Sequence, residues 1–485
     1  MLIIQNGFNC EREIKLFYNM FFNTDDDVSV FSNFTYKDNL INTYTEIDYK
    51  GKQYFEDYYF EFDINNKSKK LIKKVFTAAV TKSFVHAAMK IKKINLPWGV
   101  MCGIRPAKNV RELYEDGMED DEIREVFKNV YEVNDEKTEL SLTVAKNEKK
   151  ILNLLNPHAI GLYIGIPFCP TRCLYCSFVS TDIRVSGKYM NDFTSCLVKE
   201  IKKTANIIEK SGKYIDSIYI GGGTPTALDE ENLKIILSAV NKYFKLDKLN
   251  EFTLEAGRAD TITEEKLKIA KFYGVDRISI NPQTMNDETL KKVGRNHTSK
   301  DVIDCFKIAR NVGFLNINMD LIAGLPSEDY EMFCKSIDEV IKLNPDNITV
   351  HTMCIKQGSR LKNSDEELTK SDVMNKMLSY TQKRMKETNR VPYYMYRQKN
   401  MLGNLENVGY SYPDKMGNYN INIMEEKQTI IALGGGGSTK IITDDDIIRI
   451  YNYKDPKEYI EKFDNIIKKK DEILKIMGGE NDNEE

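Results

Sequence analysis

Between residues 160 and 385, apolar runs of strand length alternate six times with longer amphipathic segments. The predicted strands are 161–166, 216–220, 251–256, 276–280, 315–320 and 346–350. The segments between them include predicted helices over 186–211, 229–244, 299–312 and 328–342. Repeated strand-then-helix units demand a parallel sheet with right-handed crossovers. Six units predict an α/β fold, an open partial (β/α)6 barrel, with chemistry at the C-terminal ends of the strands.

The flanking regions predict three domains: an N-terminal α+β domain over 1–155, the partial barrel over 156–385, and a C-terminal domain over 386–485 that ends in a disordered acidic tail. In the first, the stretches 44–50 and 54–62 alternate as half-buried strands around a turn at Lys50-Gly51-Lys52. Helices are expected at about 67–92, 107–127 and 135–155. The segment Leu96-Pro97-Trp98-Gly99, running on to Pro106, reads as a rigid loop with the only tryptophan. A packed interdomain corner is the favoured reading for it, and a lid the other.

The first barrel strand runs directly into Cys169, Cys173 and Cys176, a C-x3-C-x2-C spacing. Three thiolates on one loop can hold three corners of a [4Fe–4S] cluster and leave one iron open to a small molecule. Structural zinc would require a fourth Cys or His nearby, and none follows. The other six of nine cysteines are scattered, as in a reducing compartment. A net charge of −3 offers no field for nucleic acid. No apolar run approaches the ~20 residues of a membrane span, and the N-terminus lacks the regions of a signal peptide. A cytoplasmic location is expected.

Polar residues then recur at successive strand ends. The second strand leads into Gly221-Gly222-Gly223-Thr224, where glycines let backbone approach a ligand. Glu255 ends the third strand inside an apolar run, which requires a partner: a lysine or arginine of the fold, or a ligand hydroxyl or ammonium. Gln283 follows the fourth, Arg295 the next loop, and Asp320 sits on the fifth. Such a ring suits a site better than a core. His297, beside Arg295, is a candidate anion contact, and His351 reads as structural.

These motifs resemble the oxygen-independent coproporphyrinogen III oxidase group of radical S-adenosylmethionine (SAM) proteins, over about residues 160–440. The N-terminal region resembles a longer branch described as coproporphyrinogen dehydrogenases, through Pro97-Trp98-Gly99, the stretch 103–106 and the stretch 396–400. The resemblance implies a [4Fe–4S] cluster on Cys169, Cys173 and Cys176, with SAM on the open iron. Tyr163 would lie near both, and the backbone around Tyr175 would meet adenine. Gly222, Gly223 and Thr224 would hold the methionine moiety, and Glu255, Gln283, Arg295 and Asp320 would bind SAM or a second SAM. The implied reaction is oxidative decarboxylation of coproporphyrinogen III to protoporphyrinogen IX through a 5′-deoxyadenosyl radical. The implied partners are a tetrapyrrole substrate and an electron donor such as flavodoxin or ferredoxin. Arg258, Arg397 and Lys399 are candidate cations for the substrate carboxylates.

Two positions depart from the family. The oxidase type carries a further cysteine two residues after the third; here Phe178 stands there, as in related haem chaperones, which lack that cysteine. The chaperone type has a late histidine before an asparagine, and here Glu406 precedes Asn407. A haem carrier and an anaerobic tetrapyrrole methyltransferase are the alternative readings.

Overall fold

In a computed structural model, the described residues are all except Met1, Thr24, Asn66, 178–179, 356–357, 364–368, 399–403, 444–445 and 479–485. Phe178, Lys399 and the acidic tail beyond 479 therefore lie outside them. Contacts divide the chain into two compact units. Unit one takes 1–145, 370–375 and 396–406, and unit two takes 146–369, 376–395 and 407–485.

Unit one is built on a four-stranded sheet in the order β1 (Leu2–Asn6), β2 (Val28–Lys37), β3 (Leu40–Tyr49), β4 (Lys52–Glu61). The first pair is parallel and the others antiparallel, with the predicted turn at 50–51 joining β3 and β4. Alternate residues of β2 and β3 are buried, the pattern of a sheet with one covered face. Helix α1 spans Glu11–Phe21 and α2 spans Lys69–Met89. Buried hydroxyls fix α2 to the sheet: Thr45 Oγ1 lies 2.7 Å from Ser83 Oγ, and Thr43 donates to the Ala79 carbonyl at 3.3 Å. The helix expected over 107–127 is two helices, Pro106–Glu115 and Asp120–Glu125, broken where Gly117 takes φ +85°. Trp98 is buried within unit one, and its indole donates to Glu406 at 2.7 Å.

Unit two carries the six expected strands: β5 (Ala159–Ile166), β6 (Tyr214–Gly222), β7 (Glu251–Glu255), β8 (Arg277–Ser279), β9 (Asn316–Ala323) and β10 (Asn347–Thr352). They pair in parallel in chain order. Their residues are buried almost continuously, as in a sheet covered on both faces. Side-chain caps start the crossover helices: Asp229 for 230–243, Thr263 for 264–272, Thr298 for 299–312 and Asp329 for 330–343. Each cap stops a strand-end loop and leaves it beside its neighbours at one edge of the sheet.

Among the described residues the sheet is open and runs to eleven strands. Residues from beyond 386 extend it at both ends. β11 (Val391–Tyr396) and β12 (Asn407–Ser411) lie outside β10, with β12 antiparallel to it. β13 (Ile430–Gly434) runs parallel to β5 and leads into antiparallel β14 (Ser438–Ile442) and β15 (Ile447–Tyr451). Lys470 pairs with Glu200 at 2.9 Å, both buried, and fastens the last helix of unit two. Among the described residues, no helix is long and apolar enough to cross a membrane.

Candidate functional site

The cysteine loop leaves β5 at the C-terminal edge of the parallel strands. Cys169 and Cys173 are buried, and Cys176 is partly exposed. Backbone bonds help to hold the loop: Leu174 N donates to the Val293 carbonyl at 3.0 Å, and Cys176 N to the Cys173 carbonyl at 3.2 Å. Thr171 Oγ1 donates to the Gly294 carbonyl at 2.8 Å. The loop is thereby tied to the segment that also carries Arg295.

The glycine run of β6 lies against this loop. Cys169 Sγ is 3.4 Å from Thr224 Oγ1. A Cβ on Gly223 would come 2.6 Å from the Phe168 carbonyl oxygen and 3.1 Å from Cys169 Sγ. A Cβ on Gly222, at φ +111°, would meet the Ile166 oxygen at 2.8 Å. Backbone here approaches the first cysteine more closely than any side chain permits.

Glu255, at the end of β7, forms no ion pair among the described residues; its Oε1 accepts from the Tyr219 hydroxyl at 2.7 Å. Burial pushes the Glu255 carboxyl up to about 7, against the Tyr219 hydrogen bond and aided by the charge of Asp320. Tyr219 stacks between Tyr163 (centroids 6.3 Å apart) and Tyr419 (4.7 Å). The sequence reading missed Tyr219 and Tyr419. A tyrosine alternating in β6 two residues before the glycine run was the available signal for the first.

Gln283 takes a left-handed backbone, φ +69°, and bridges to β9: its N–H donates to the Asp320 carbonyl, and its carbonyl accepts from Ile322 N, both at 2.9 Å. Its Oε1 is buried with no partner among the described residues. Asp320 accepts from Asn318 Nδ2 at 2.7 Å and lies 3.6 Å from His351 Nε2. Burial opposes ionisation of Asp320, but hydrogen bonding and the nearby His351 hold its carboxyl below the usual range. His351 therefore joins the ring of polar strand ends.

Arg295 is buried and turned onto strand-end carbonyls, those of Asn281, of Pro282 at 3.2 Å and of Gly257 at 3.1 Å. Its Nε has no partner among the described residues. Two candidate anion contacts are otherwise engaged. His297 is buried, with Nδ1 3.5 Å from Asp260. Arg258 is buried in an ion pair with Asp260 at 2.7 Å and donates to Thr171, so it serves the cysteine loop. Tyr175 sits inside the loop, its hydroxyl held above the usual tyrosine range by desolvation despite the opposing charge of Arg295.

Thiols on a loop at the C-terminal edge of an open (β/α) sheet are the mark of radical SAM proteins, and the radical SAM superfamily pattern matches residues 163–340. Over 391 residues the chain is 39% identical to the oxygen-independent coproporphyrinogen-III oxidase-like protein HemZ of Bacillus subtilis, covering 79% of this chain and 77% of that protein. The chain therefore belongs to the oxygen-independent coproporphyrinogen-III oxidase-like family. It is also 38% identical over 196 residues to the heme chaperone HemW of B. subtilis, covering 40% of this chain and 50% of that one. Coproporphyrinogen III oxidase (HemN) from Escherichia coli shares the fold, with a TM-score of 0.53 at 21% identity over 67% of this chain and 73% of that one.

The cofactors of this family are a [4Fe–4S] cluster and SAM. The residues present fit both. The buried Gln283 Oε1 and Arg295 Nε await partners, and the glycine cradle leaves backbone bare beside Cys169. Among the described residues, no three Cys, His, Asp or Glu converge as ligands of one metal ion. The corners of a four-iron cluster stand further apart than the ligands of a single ion.

Proposed function

We propose that this chain catalyses oxygen-independent oxidative decarboxylation of coproporphyrinogen III to protoporphyrinogen IX. Cys169, Cys173 and Cys176 hold the cluster, and Gly222, Gly223 and Thr224 receive the methionine end of SAM. Tyr163 stands near both, with Tyr175 at the adenine. Glu255, Gln283, Arg295 and Asp320 complete the SAM site. When bound, cluster and SAM supply one-electron cleavage of SAM, giving the oxidant that removes hydrogen from a propionate side chain. The chain's own part is to orient that side chain and exclude water and oxygen.

The observation that favours an enzyme over a haem carrier is the state of Glu406. It stands where the chaperone-type histidine would be, it is buried, and its oxygens meet Lys137 Nζ and the Trp98 indole, each at 2.7 Å. A side chain so engaged is no axial ligand. The test is anaerobic turnover of iron-loaded protein with reductant, SAM, coproporphyrinogen III and an electron acceptor. Protoporphyrinogen with 5′-deoxyadenosine and methionine is expected. Deoxyadenosine without porphyrin product would assign another substrate, and tight haem binding with neither product would assign the carrier.

Glu255 carries a pH prediction. Its carboxyl is protonated in the folded protein up to about 7, against an ordinary value of 4.5. The folded state thus binds this proton more tightly than the unfolded one, so the group's contribution to stability falls as pH rises from 4.5 to about 7. A SAM hydroxyl or ammonium is held by the anion. SAM affinity is therefore expected to rise through pH 7, and Glu255→Gln to flatten that rise. At pH 8 the variant should bind roughly tenfold or more weakly, from loss of a charged hydrogen bond of about 1.5–3 kcal/mol. Anaerobic titration calorimetry between pH 6 and 8 checks it, and identical profiles would remove Glu255 from the SAM site.

A further inference from the structure

Unit one contains a cavity of about 630 Å³, lined by α1, α2, the loop around 100–104, and residues 397, 398 and 404. Small-molecule sites run from roughly 300 to 1,000 Å³. Two features set this one apart from a packing void.

The first is uncompensated positive charge. Arg12, Lys70, Lys73, Lys74 and Arg397 line the cavity, with Glu13 as the acidic lining residue. Lys70 and Lys74 share one carboxylate, that of Glu112. Arg12 and Lys73 form no ion pair among the described residues. Arg397 is only 3% exposed and also has no carboxylate partner. Its Nε and Nη2 donate to the Gly103 carbonyl (3.1 and 2.6 Å), and Nη2 also to the Met101 carbonyl at 2.7 Å. Its Nη1 has no hydrogen-bond partner among the described residues, and the Trp98 ring centroid lies 5.2 Å from the guanidinium. Burial pushes this guanidinium down to about 10, against the opposing influence of Cys102 and Glu406. A buried charge without a counter-ion is unfavourable until an anion supplies one.

The second feature is an apolar wall on the same cavity. Leu16 and Ile104 line it while 39% and 47% exposed, with Met20 and Met101 beside them. A ligand with an apolar body would cover them. The cations stand apart, on α1, on α2 and at 397. A phosphate instead calls for donors gathered at a helix N-terminus or backbone nest. Separated cations around an apolar wall match separated carboxylates on a rigid apolar frame.

We propose that this cavity is a ligand site of unit one for an apolar ring system bearing separated carboxylates. The assignment of that class to carboxylated tetrapyrroles rests on the function proposed above. Nothing in the decarboxylation itself requires this site, which would hold substrate-type or product-type molecules within unit one.

The test is fluorescence-monitored binding to the full chain purified without iron loading. Probes are coproporphyrin III with four carboxylates, protoporphyrin IX with two and etioporphyrin with none. The exposed-residue variant Arg12→Ala/Lys73→Ala is expected to weaken coproporphyrin binding at least tenfold, and Arg397→Met to do the same. Glu255→Gln is expected to leave it unchanged. Added salt should weaken binding, and etioporphyrin should bind poorly. Tighter coproporphyrin than protoporphyrin binding would mark a substrate-type site, and the reverse a product-type site. Unchanged affinity in the double variant, loss of binding only in Glu255→Gln, or no porphyrin binding by the parent chain would each overturn the proposal. Turnover separates the two readings. Product formation with unchanged binding in the double variant removes this site alone. Cation-dependent binding without turnover removes the proposed reaction and leaves the site.

Discussion

Replacing Cys173 with alanine is expected to cut 5′-deoxyadenosine formation at least about 10³-fold, as when one member of an interdependent catalytic unit is removed. Iron should fall well below the ~4 per chain of a loaded four-iron cluster. Cys173 is the middle of the three thiols and is 7% exposed. Its loop is held by main-chain bonds from Leu174 and Cys176 and by the Thr171 hydroxyl, none of which uses the sulfur. The variant should therefore fold, with a stability change near the ~1 kcal/mol typical of point substitutions. Circular dichroism melting checks that, and iron and sulfide analysis after anaerobic loading reads the cluster. Cys334→Ala, on the helix Tyr330–Leu343, is the matched control and should keep full iron. A Cys173→Ala protein with full iron and parental deoxyadenosine formation would sink the ligand assignment.

The barrel strands were legible in the sequence because each is a short apolar run bounded by turn residues; all six match within three residues at either end. The strand-end residues were legible for a related reason. Glu255 and Asp320 sit in apolar strands where a carboxylate is unfavourable without a partner, so they announce a site by violating the core pattern. Partners were less visible. Tyr219 reads as an ordinary strand tyrosine, and only its pairing with Thr253, two residues before Glu255 on the next strand, makes it the hydrogen-bond donor. His297 looked like an anion contact and Arg258 like a cation for a substrate carboxylate, yet both converge on Asp260, thirty-seven and two residues away in sequence. The strands contributed from beyond residue 386 were also hidden. β13 pairs with β5 across more than 250 residues, and hydrophobic periodicity carries no information about such distant neighbours.

Arg258→Met is expected to lower both stability and cluster retention. The guanidinium is 2% exposed and forks onto Asp260, with Nε to Oδ1 at 2.9 Å and Nη2 to Oδ2 at 2.7 Å. Its Nη1 donates to Thr171, to the hydroxyl at 2.8 Å and the carbonyl at 3.2 Å, and stands 3.8 Å from Cys173 Sγ. One side chain thus joins the end of β7 to the cysteine loop. Burial alone would raise the Asp260 carboxyl; the nearby His297 and the hydrogen bonds from Arg258 outweigh it and hold it far below the usual range. Removing the arginine takes away that carboxylate's ion-pair partner; the Asp260 side chain is 15% exposed and keeps His297 nearby, so the cost should fall below the ~3–5 kcal/mol of a fully buried pair. Adding Asp260→Asn removes the charge left behind and should recover part of the stability. It cannot restore the Thr171 contacts, so iron retention and deoxyadenosine formation should stay low in the double variant. Recovery of both with stability would mean that Arg258 acts only through the charge pair. Low iron in a restabilised protein would mean that it positions the loop, through a contact to Thr171 that lysine, with no planar fork, would reproduce poorly.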